Sequence, residues 1–390
     1  MDLSPDQQQA LDALWASVRS GNTVSVLVGP AGSGKTTLMR TFGRMMIDRG
    51  WNLSWAAPTG KAAVRLSGSV GSPAATLHSL LYRRFKEGSS GQPIFMDRRE
   101  KLSEDGSRTL LVVDEGSMVG KRLFDDLVAA AGDSSLLLFV ADACQVMPVA
   151  DQLGPPLFSP TAELTTIHRQ ALESPILRVA TDVRMGKPMS KESIGDAYVR
   201  RPGTAMDVAK WLSAQIKASE DAVAICATNQ IRQNINRLCR KELGYKGVLQ
   251  PGEQIMFLLN NKYMGRMNGE VARVDAVSEV LHEDKPSGLL RVRSGDDVFF
   301  VHADTIGKSV VDFKKATARR SDIRNPQMML HIDYGYAVTI HKSQGSEWKK
   351  VCFAVDNFLR MTARRDASDA RRLAYTAITR AREKLIIVDL

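Results

Sequence analysis

Val24-Ser25-Val26-Leu27-Val28-Gly29-Pro30-Ala31-Gly32-Ser33-Gly34-Lys35-Thr36 is the stretch that decides the fold. A short apolar run rich in β-branched residues passes directly into glycine, and the residues from Lys35 to Asp48 then take helical spacing. The loop from Gly29 to Thr36 fits the phosphate-loop pattern GxxxxGK[ST] in full. Its glycines let backbone N–H groups approach phosphate oxygens with no Cβ in the way. Lys35 supplies a cation for the β- and γ-phosphates, and the Thr36 hydroxyl is a ligand for Mg2+. Strand, glycine loop and helix in this order open a βαβ unit, so the expected fold class is α/β with parallel sheets.

Before this unit, Ser4-Pro5 is a helix start, followed by Leu11, Leu14, Trp15 and Val18 at helical spacing. After it, buried-type strands are expected at Leu53 to Ala57, Leu110 to Val113, Leu136 to Val140, Ala222 to Ala227, Val351 to Val355 and Leu385 to Val388. That many strands in 390 residues predicts two parallel sheets. Residues 83–108 are polar, Gly-rich and basic; residues 255–320 hold short strands around the hairpin-type turns Asn268-Gly269 and Ser294-Gly295. Both stretches are expected as insertions, and no fixed-period repeat is present.

Lys and Arg total 53 against 43 Asp and Glu, a net charge of +10. This favours a polyanionic partner, although charge alone leaves a generically basic soluble protein open. Cys144, Cys226, Cys239 and Cys352 form no CxxC pair, so neither a structural zinc site nor a disulfide framework is expected. No run of 18 uncharged apolar residues occurs, and the N-terminal residues lack a signal-type apolar core. The expectation is a cytoplasmic protein, in a bacterium or in the host of a virus, with no membrane contact.

Leu110-Leu111-Val112-Val113-Asp114-Glu115 is an apolar strand ending in two carboxylates. On a strand neighbouring that of the phosphate loop, Asp114 would hold Mg2+ and Glu115 would orient water. Lys35, Thr36, Asp114 and Glu115 then make one phosphoryl-transfer site. The coupled task is left open by these residues alone.

Later segments narrow it. Leu3-Ser4-x-x-Gln7, Ala57-Pro58-Thr59-Gly60-Lys61-Ala62-Ala63, Thr76-Leu77-His78, Asp114 to Met118, Asp142 to Val149, Leu164 to Gln170, Thr339 to Gly345 and Ala377-Ile378-Thr379-Arg380-Ala381-Arg382 occur in that order. Together they resemble the motif series of superfamily 1 group B DNA helicases, the RecD and Dda type, from Leu3 to Val388. Residues 174–187 are most similar to the Dda branch. The resemblance implies two RecA-like domains. Residues 1–160 would be domain 1A, with a β-hairpin pin at about 82–108 and Phe85 or Phe95 at its tip. Residues 161–254 and 321–390 would be domain 2A, and 255–320 an SH3-like insertion.

The implied activity is ATP- and Mg2+-dependent unwinding of duplex DNA with 5′-to-3′ movement on single-stranded DNA. Single-stranded and forked duplex DNA are the implied partners, with single-strand-binding or replication proteins as further candidates and a monomer as the functional state. Catalytic roles would fall to Lys35, Glu115, the γ-phosphate sensor Gln145, and the arginines Arg169 and Arg380. Nucleotide contacts would come from Gln7, Gly29, Pro30, Ala31, Gly32, Ser33, Gly34, Lys35, Thr36, Thr37 and Gly345, and metal ligands from Thr36 and Asp114. Pro58, Thr59, Lys61, His78, Thr339, His341 and Lys342 would face the DNA, with Tyr82 or Phe85 as further stacking surfaces.

One segment departs from the family pattern, which usually reads Gly-Asp-x-x-Gln-Leu-Pro-Pro-Val. Here it is Ala141-Asp142-Ala143-Cys144-Gln145-Val146-Met147-Pro148-Val149, so loop geometry at Ala141 and Met147, and with it coupling, is where a difference is expected. Rival readings are an ATPase that acts on RNA or strips proteins without separating strands, a small-molecule kinase, and a DNA-binding regulator without hydrolysis. The kinase leaves residues 339–345 and 377–382 without a role, and the regulator leaves the intact phosphoryl-transfer residues without one.

Overall fold

The computed structural model describes residues 3–82, 85–87, 93–95, 102, 106–148, 152–167, 173–261, 263–282, 285–318 and 326–390, with backbone only at 85–87, 93–95, 282, 285 and 286. Two compact units result. The first comprises residues 1–189, 344–346 and 371–379, and the second residues 190–343, 347–370 and 380–390. The first unit therefore reaches past residue 160, because residues 162–163 complete its sheet.

The strands of the first unit are β1 (Val24–Val28), β2 (Asn52–Ala57), β3 (Ala74–Thr76), β4 (Phe85–Glu87), β5 (Pro93–Phe95), β6 (Thr109–Val113), β7 (Ser135–Ala141) and β8 (Ala162–Glu163). Six of them form one sheet in the order β3-β2-β6-β7-β1-β8, every pairing parallel. Alternation along the strands sorts the apolar residues onto two faces. Leu27, Leu110, Val112, Leu136, Leu138 and Val140 pack with Leu14 of helix Pro5–Arg19 and Leu38, Met39, Phe42 and Met46 of helix Lys35–Ile47. On the other face Val26, Val28, Leu111, Val113, Leu137 and Phe139 pack with Leu127 and Ala130 of helix Lys121–Ala131. Each such fully buried Leu, Val or Phe is worth roughly 1.5–3 kcal/mol against exposure.

Sequence and structure differ here in one consequential way. The acid-tipped strand β6 does not neighbour β1; β7 lies between them. Crossover connections between parallel strands are long enough to skip a place in the sheet, and local sequence does not record which place is skipped. Strands β4 and β5 pair antiparallel within the stretch expected as an insertion.

The second unit carries β9 (Tyr198–Pro202), β10 (Ala222–Cys226), β11 (Gln254–Phe257), β12 (Val271–Arg273), β13 (Ala276–His282), β14 (Lys285–Ser294), β15 (Asp297–His302), β16 (Ile332–Tyr334), β17 (Ala337–Thr339), β18 (Trp348–Val355) and β19 (Ala381–Asp389). A second wholly parallel sheet runs β17-β10-β18-β19-β9. Helices Ala205–Lys217 and Asn229–Leu243 cover one face through Val208, Leu212, Ile235 and Cys239. Two antiparallel three-stranded sheets, β12-β11-β16 and β13-β14-β15, share a core of Ile255, Phe257, Val292, Phe299, Val301 and Ile332. Gly295, at φ 59, turns the hairpin between β14 and β15, where Ser294 pairs with Asp297. Asn268-Gly269 also turns, closed by the Glu270 N–H to the Met267 carbonyl, but it lies within the connection from β11 to β12 instead of joining them tightly.

All four cysteines are free thiols, and burial pushes Cys226, Cys239 and Cys352 up to about 12. Among the described residues no helix is long and apolar enough to cross a membrane.

Candidate nucleotide site

In an open parallel sheet, the groups that do chemistry gather beyond the carboxyl ends of the strands. In the first unit, Gly29 follows β1, Pro58 to Lys61 follow β2, His78 comes two residues after β3, Asp114-Glu115 follow β6, and Asp142 to Gln145 follow β7. These groups lie hundreds of bonds apart in sequence and share one sheet edge.

The phosphate loop is shaped by its own backbone. Gly32 and Gly34 stand at φ 79 and 80, where a Cβ is strained. A Cβ on Gly29 would come within 2.7 Å of Ser33 Oγ and 3.0 Å of Leu164 Cβ. Ser33 donates its hydroxyl to the Pro30 carbonyl at 2.9 Å. Gly34 opens helix Lys35–Ile47 with no side-chain cap, so the first-turn N–H groups are presented as an anion site. Lys35 Nζ donates to the carbonyls of Gly29 and Pro30 at 2.8 and 2.9 Å, which parks the ammonium against the loop. Thr36 and Thr37 are half-buried in the same turn.

Asp114 and Glu115 sit where β6 runs out. Burial raises the Asp114 carboxyl above its ordinary range, and neighbouring Glu115 raises it further against the opposing charges of Arg65 and Lys35. Glu115 is buried and takes φ 55, one of two non-glycine residues at positive φ among the described residues. Gly116 follows it under the β7 backbone, where a Cβ would meet the Val140 carbonyl at 3.3 Å.

The divergent third segment retains regular geometry at its start. Ala141 is the last residue of β7, pairs with Val28, and accepts the Gly29 N–H at 3.1 Å. Asp142 Oδ1 accepts the Cys144 N–H at 3.0 Å, closing the turn that carries Gln145. Gln145 is buried, and its Oε1 has no hydrogen-bond partner among the described residues. A buried amide oxygen without a donor is costly unless a ligand or water supplies one. Val149 and Arg169 lie outside the described residues.

Two side chains in this site were not singled out from sequence. Arg65, on helix Gly60–Val70, places its guanidinium 2.6 Å from Glu115 Oε1 and 3.4 Å from Asp114 Oδ2. Its sequence signal was available: it lies one helical turn after Lys61. Tyr375, just before Ala377, is fully buried; its hydroxyl donates to Asp142 Oδ2 at 2.5 Å and accepts the Ala31 N–H at 3.1 Å. Thr376 Oγ1 accepts the Val146 N–H, and Gln344 Nε2 donates to the Val146 carbonyl, both at 3.0 Å. Segments 344–346 and 371–379 thus brace the phosphate loop and the Gln145 turn within the first unit.

Other expected residues are placed as follows. Gln7 is buried, and its Oε1 accepts the Ser4 N–H in the helix capping box while Nε2 reaches the Gly34 carbonyl at 3.4 Å. It is thereby fixed beside the phosphate loop. Gly345, at φ 72, packs on helix Gly60–Val70, where a Cβ would sit 2.9 Å from Ala62 Cβ. Thr59 Oγ1 caps that helix by accepting the Ala62 N–H, and Pro58 and Lys61 are half-buried around it. His78 lies against Tyr82 with ring centroids 5.8 Å apart, and Tyr82 donates to Asp126. In the second unit, Thr339 is the last residue of β17, His341 and Lys342 follow it, and Thr339 Oγ1 accepts the Lys342 N–H at 3.4 Å. Arg380, also in that unit, is buried just before β19.

The residues fit a magnesium nucleotide. The uncapped glycine-framed helix start suits phosphate, the orphaned Gln145 Oε1 calls for a donor such as an ordered water, and the raised Asp114 carboxyl is one that a cation would stabilise as carboxylate. Among the described residues no cluster of three or more His, Cys, Asp or Glu could hold a metal alone. Thr36 and Asp114 suffice where phosphate oxygens complete the shell, as is usual for Mg2+.

Phosphate loop, carboxylate-tipped strand and glutamine turn on one parallel edge define the class as a P-loop fold. The family model described as AAA domain matches residues 2–198, and that described as UvrD-like helicase C-terminal domain matches residues 334–388. The chain belongs to the AAA-domain family. It is 27% identical over 389 residues to the ATP-dependent RecD2 DNA helicase of Deinococcus radiodurans, covering 98% of this chain and 48% of that protein. It is 29% identical over 195 residues to the ATP-dependent DNA helicase dda of Enterobacteria phage T4, covering 48% of this chain and 43% of that one. The chain thus spans about half the length of these curated relatives. Its fold resembles that of the Pif1 helicase from Bacteroides solved with ADP-AlF3 and single-stranded DNA, at TM-score 0.55 and 19% identity over 100% of this chain and 93% of that one.

Proposed function

We propose that this chain is an ATP-driven DNA helicase motor that moves 5′-to-3′ along single-stranded DNA and opens forked duplexes. The observation that carries the reading is the gathering of Lys35, Thr36, Asp114, Glu115 and Gln145 at the carboxyl edge of one parallel sheet. Support for DNA as the partner comes from the relatives, which are named as DNA helicases.

In this mechanism Lys35 leaves the loop carbonyls to meet the β- and γ-phosphates, while the first-turn N–H groups hold the phosphate chain. Bound Mg2+ supplies charge neutralisation at those phosphates, and Thr36 and Asp114 are the residues that would hold it. Glu115 orients the attacking water and accepts its proton; Gln145 senses the γ-phosphate through the amide that the resting site leaves short of a partner. Arg169 and Arg380 are assigned the stabilisation of charge in the transition state, and Gln7 and Gly345 the adenine side. Pro58, Thr59, Lys61 and His78, with Thr339, His341 and Lys342, are assigned to the strand, chiefly through phosphates. The two compact units serve as the two motor domains, the β4–β5 pair as a strand-separating pin, and 255–320 as an SH3-like module, in a chain that works as a monomer.

ATP-driven strand separation on matched 5′-tailed and 3′-tailed duplexes, with a Lys35→Ala control, tests this. Opening of the 5′-tailed substrate alone is expected. Opening of the 3′-tailed substrate alone overturns the polarity. Hydrolysis that ignores added single-stranded DNA overturns the motor itself, and stimulation by RNA but not DNA reassigns its track.

A further inference from the structure

The assigned roles leave Arg65 without one, although it makes the shortest ionic contact of the acid pair among the described residues, 2.6 Å to Glu115 Oε1. Its guanidinium remains 29% exposed, while the Glu115 side chain is 6% exposed. The same contact bears heavily on chemistry. A carboxylate that receives a charged guanidinium hydrogen bond is a weaker base and is held in one orientation, so it is less able to turn toward an attacking water and take its proton. The distance to Asp114 is longer, 3.4 Å, so the restraint falls mainly on Glu115.

The helix that carries Arg65 has a second functional end. Helix Gly60–Val70 begins at Thr59, whose hydroxyl caps it, and Lys61 stands in its first turn, one turn before Arg65. Ala62 on the same turn abuts Gly345 so closely that a Cβ there would clash. A helix is stiff over one turn, so a phosphate drawn to Thr59 and Lys61 moves Arg65 with them.

We propose that Arg65 is a positioning residue that restrains Glu115 in the resting site and holds DNA-free hydrolysis low, and that strand binding at the start of its helix draws the guanidinium away. The second clause rests on the function proposed above; the first does not.

The test is steady-state ATP hydrolysis by the whole chain, with and without saturating oligo-dT, for wild type, Arg65→Ala, Arg65→Gln and Arg65→Lys. Arg65→Ala is expected to raise the DNA-free kcat by about tenfold, the scale of one charge-assisted hydrogen bond, with KM for ATP and the DNA-saturated kcat within about twofold of wild type. Arg65→Lys, which keeps charge without the fork, is expected to fall between. A DNA-free kcat that stays level or drops in Arg65→Ala or Arg65→Gln, whichever unfolds at the wild-type temperature, overturns the proposal. Should wild type ignore oligo-dT, the motor reading fails, and the DNA-free rates still decide whether Arg65 restrains Glu115.

Discussion

At the scale of single residues, Lys35 and Gln145 are held in unfinished arrangements. The Lys35 ammonium rests on the Gly29 and Pro30 carbonyls, contacts it must exchange for phosphate. Lys35→Ala removes the only side-chain cation of the loop and is expected to lower ATP hydrolysis by about 100-fold or more, read as phosphate release at saturating ATP. Gln145 differs, because its unpartnered oxygen lies off the loop. Gln145→Ala is expected to retain nucleotide binding, followed with a fluorescent ADP, while hydrolysis drops about 100-fold. Equal loss of binding and turnover would show that Gln145 shapes the pocket and does not sense the phosphate. The loop residues were legible in sequence because their chemistry is consecutive. The place of Arg65 on the helix after Lys61 was legible too, but its pairing with Glu115 was not, since the two are 50 positions apart.

At the scale of elements, strands place the chemistry and a few side chains brace it. The Tyr375 hydroxyl, 344 positions from Ala31 and 233 from Asp142, joins the phosphate loop to the Asp142 turn. Tyr375→Phe leaves the Ala31 N–H and Asp142 carboxylate without that bridge at nearly constant volume. It is expected to destabilise the first unit by about 1–3 kcal/mol in urea unfolding, and no loss would mean that water replaces the hydroxyl. In the second sheet Arg200 on β9 pairs with Asp389 on β19 at 2.8 Å, and this hydrogen bond holds the Asp389 carboxyl below its ordinary value. A lowered carboxyl stabilises the fold above the unfolded value, near 3.9, and that contribution is lost as pH falls through the folded value. The melting-temperature gap between wild type and Asp389→Asn should therefore be full near neutrality and close below about pH 4. A gap unchanged by acid would remove the ion pair as its cause. The parallel strands themselves were legible from their apolar runs, but their order was not, as the place of β7 between β6 and β1 shows.

For the molecule as a whole, the surplus of positive charge predicts how binding responds to salt. A chain of net charge +10 that holds a strand through phosphates releases counterions, so affinity for oligo-dT should fall linearly with salt on logarithmic axes, by roughly 0.7 per phosphate neutralised. A slope near zero, measured by fluorescence anisotropy, would assign the strand contacts to stacking instead. By itself the sequence determined the two α/β sheets, the phosphate loop, the acid pair and the glutamine turn. Each is written in neighbouring residues, whose propensities and backbone freedom act locally. Only the tertiary structure decided that β7 separates the acids from the loop, that Arg65 lies on Glu115, and that Tyr375 ties Ala31 to Asp142. Those are contacts between distant segments, fixed by which faces can be buried together, and no local pattern encodes them.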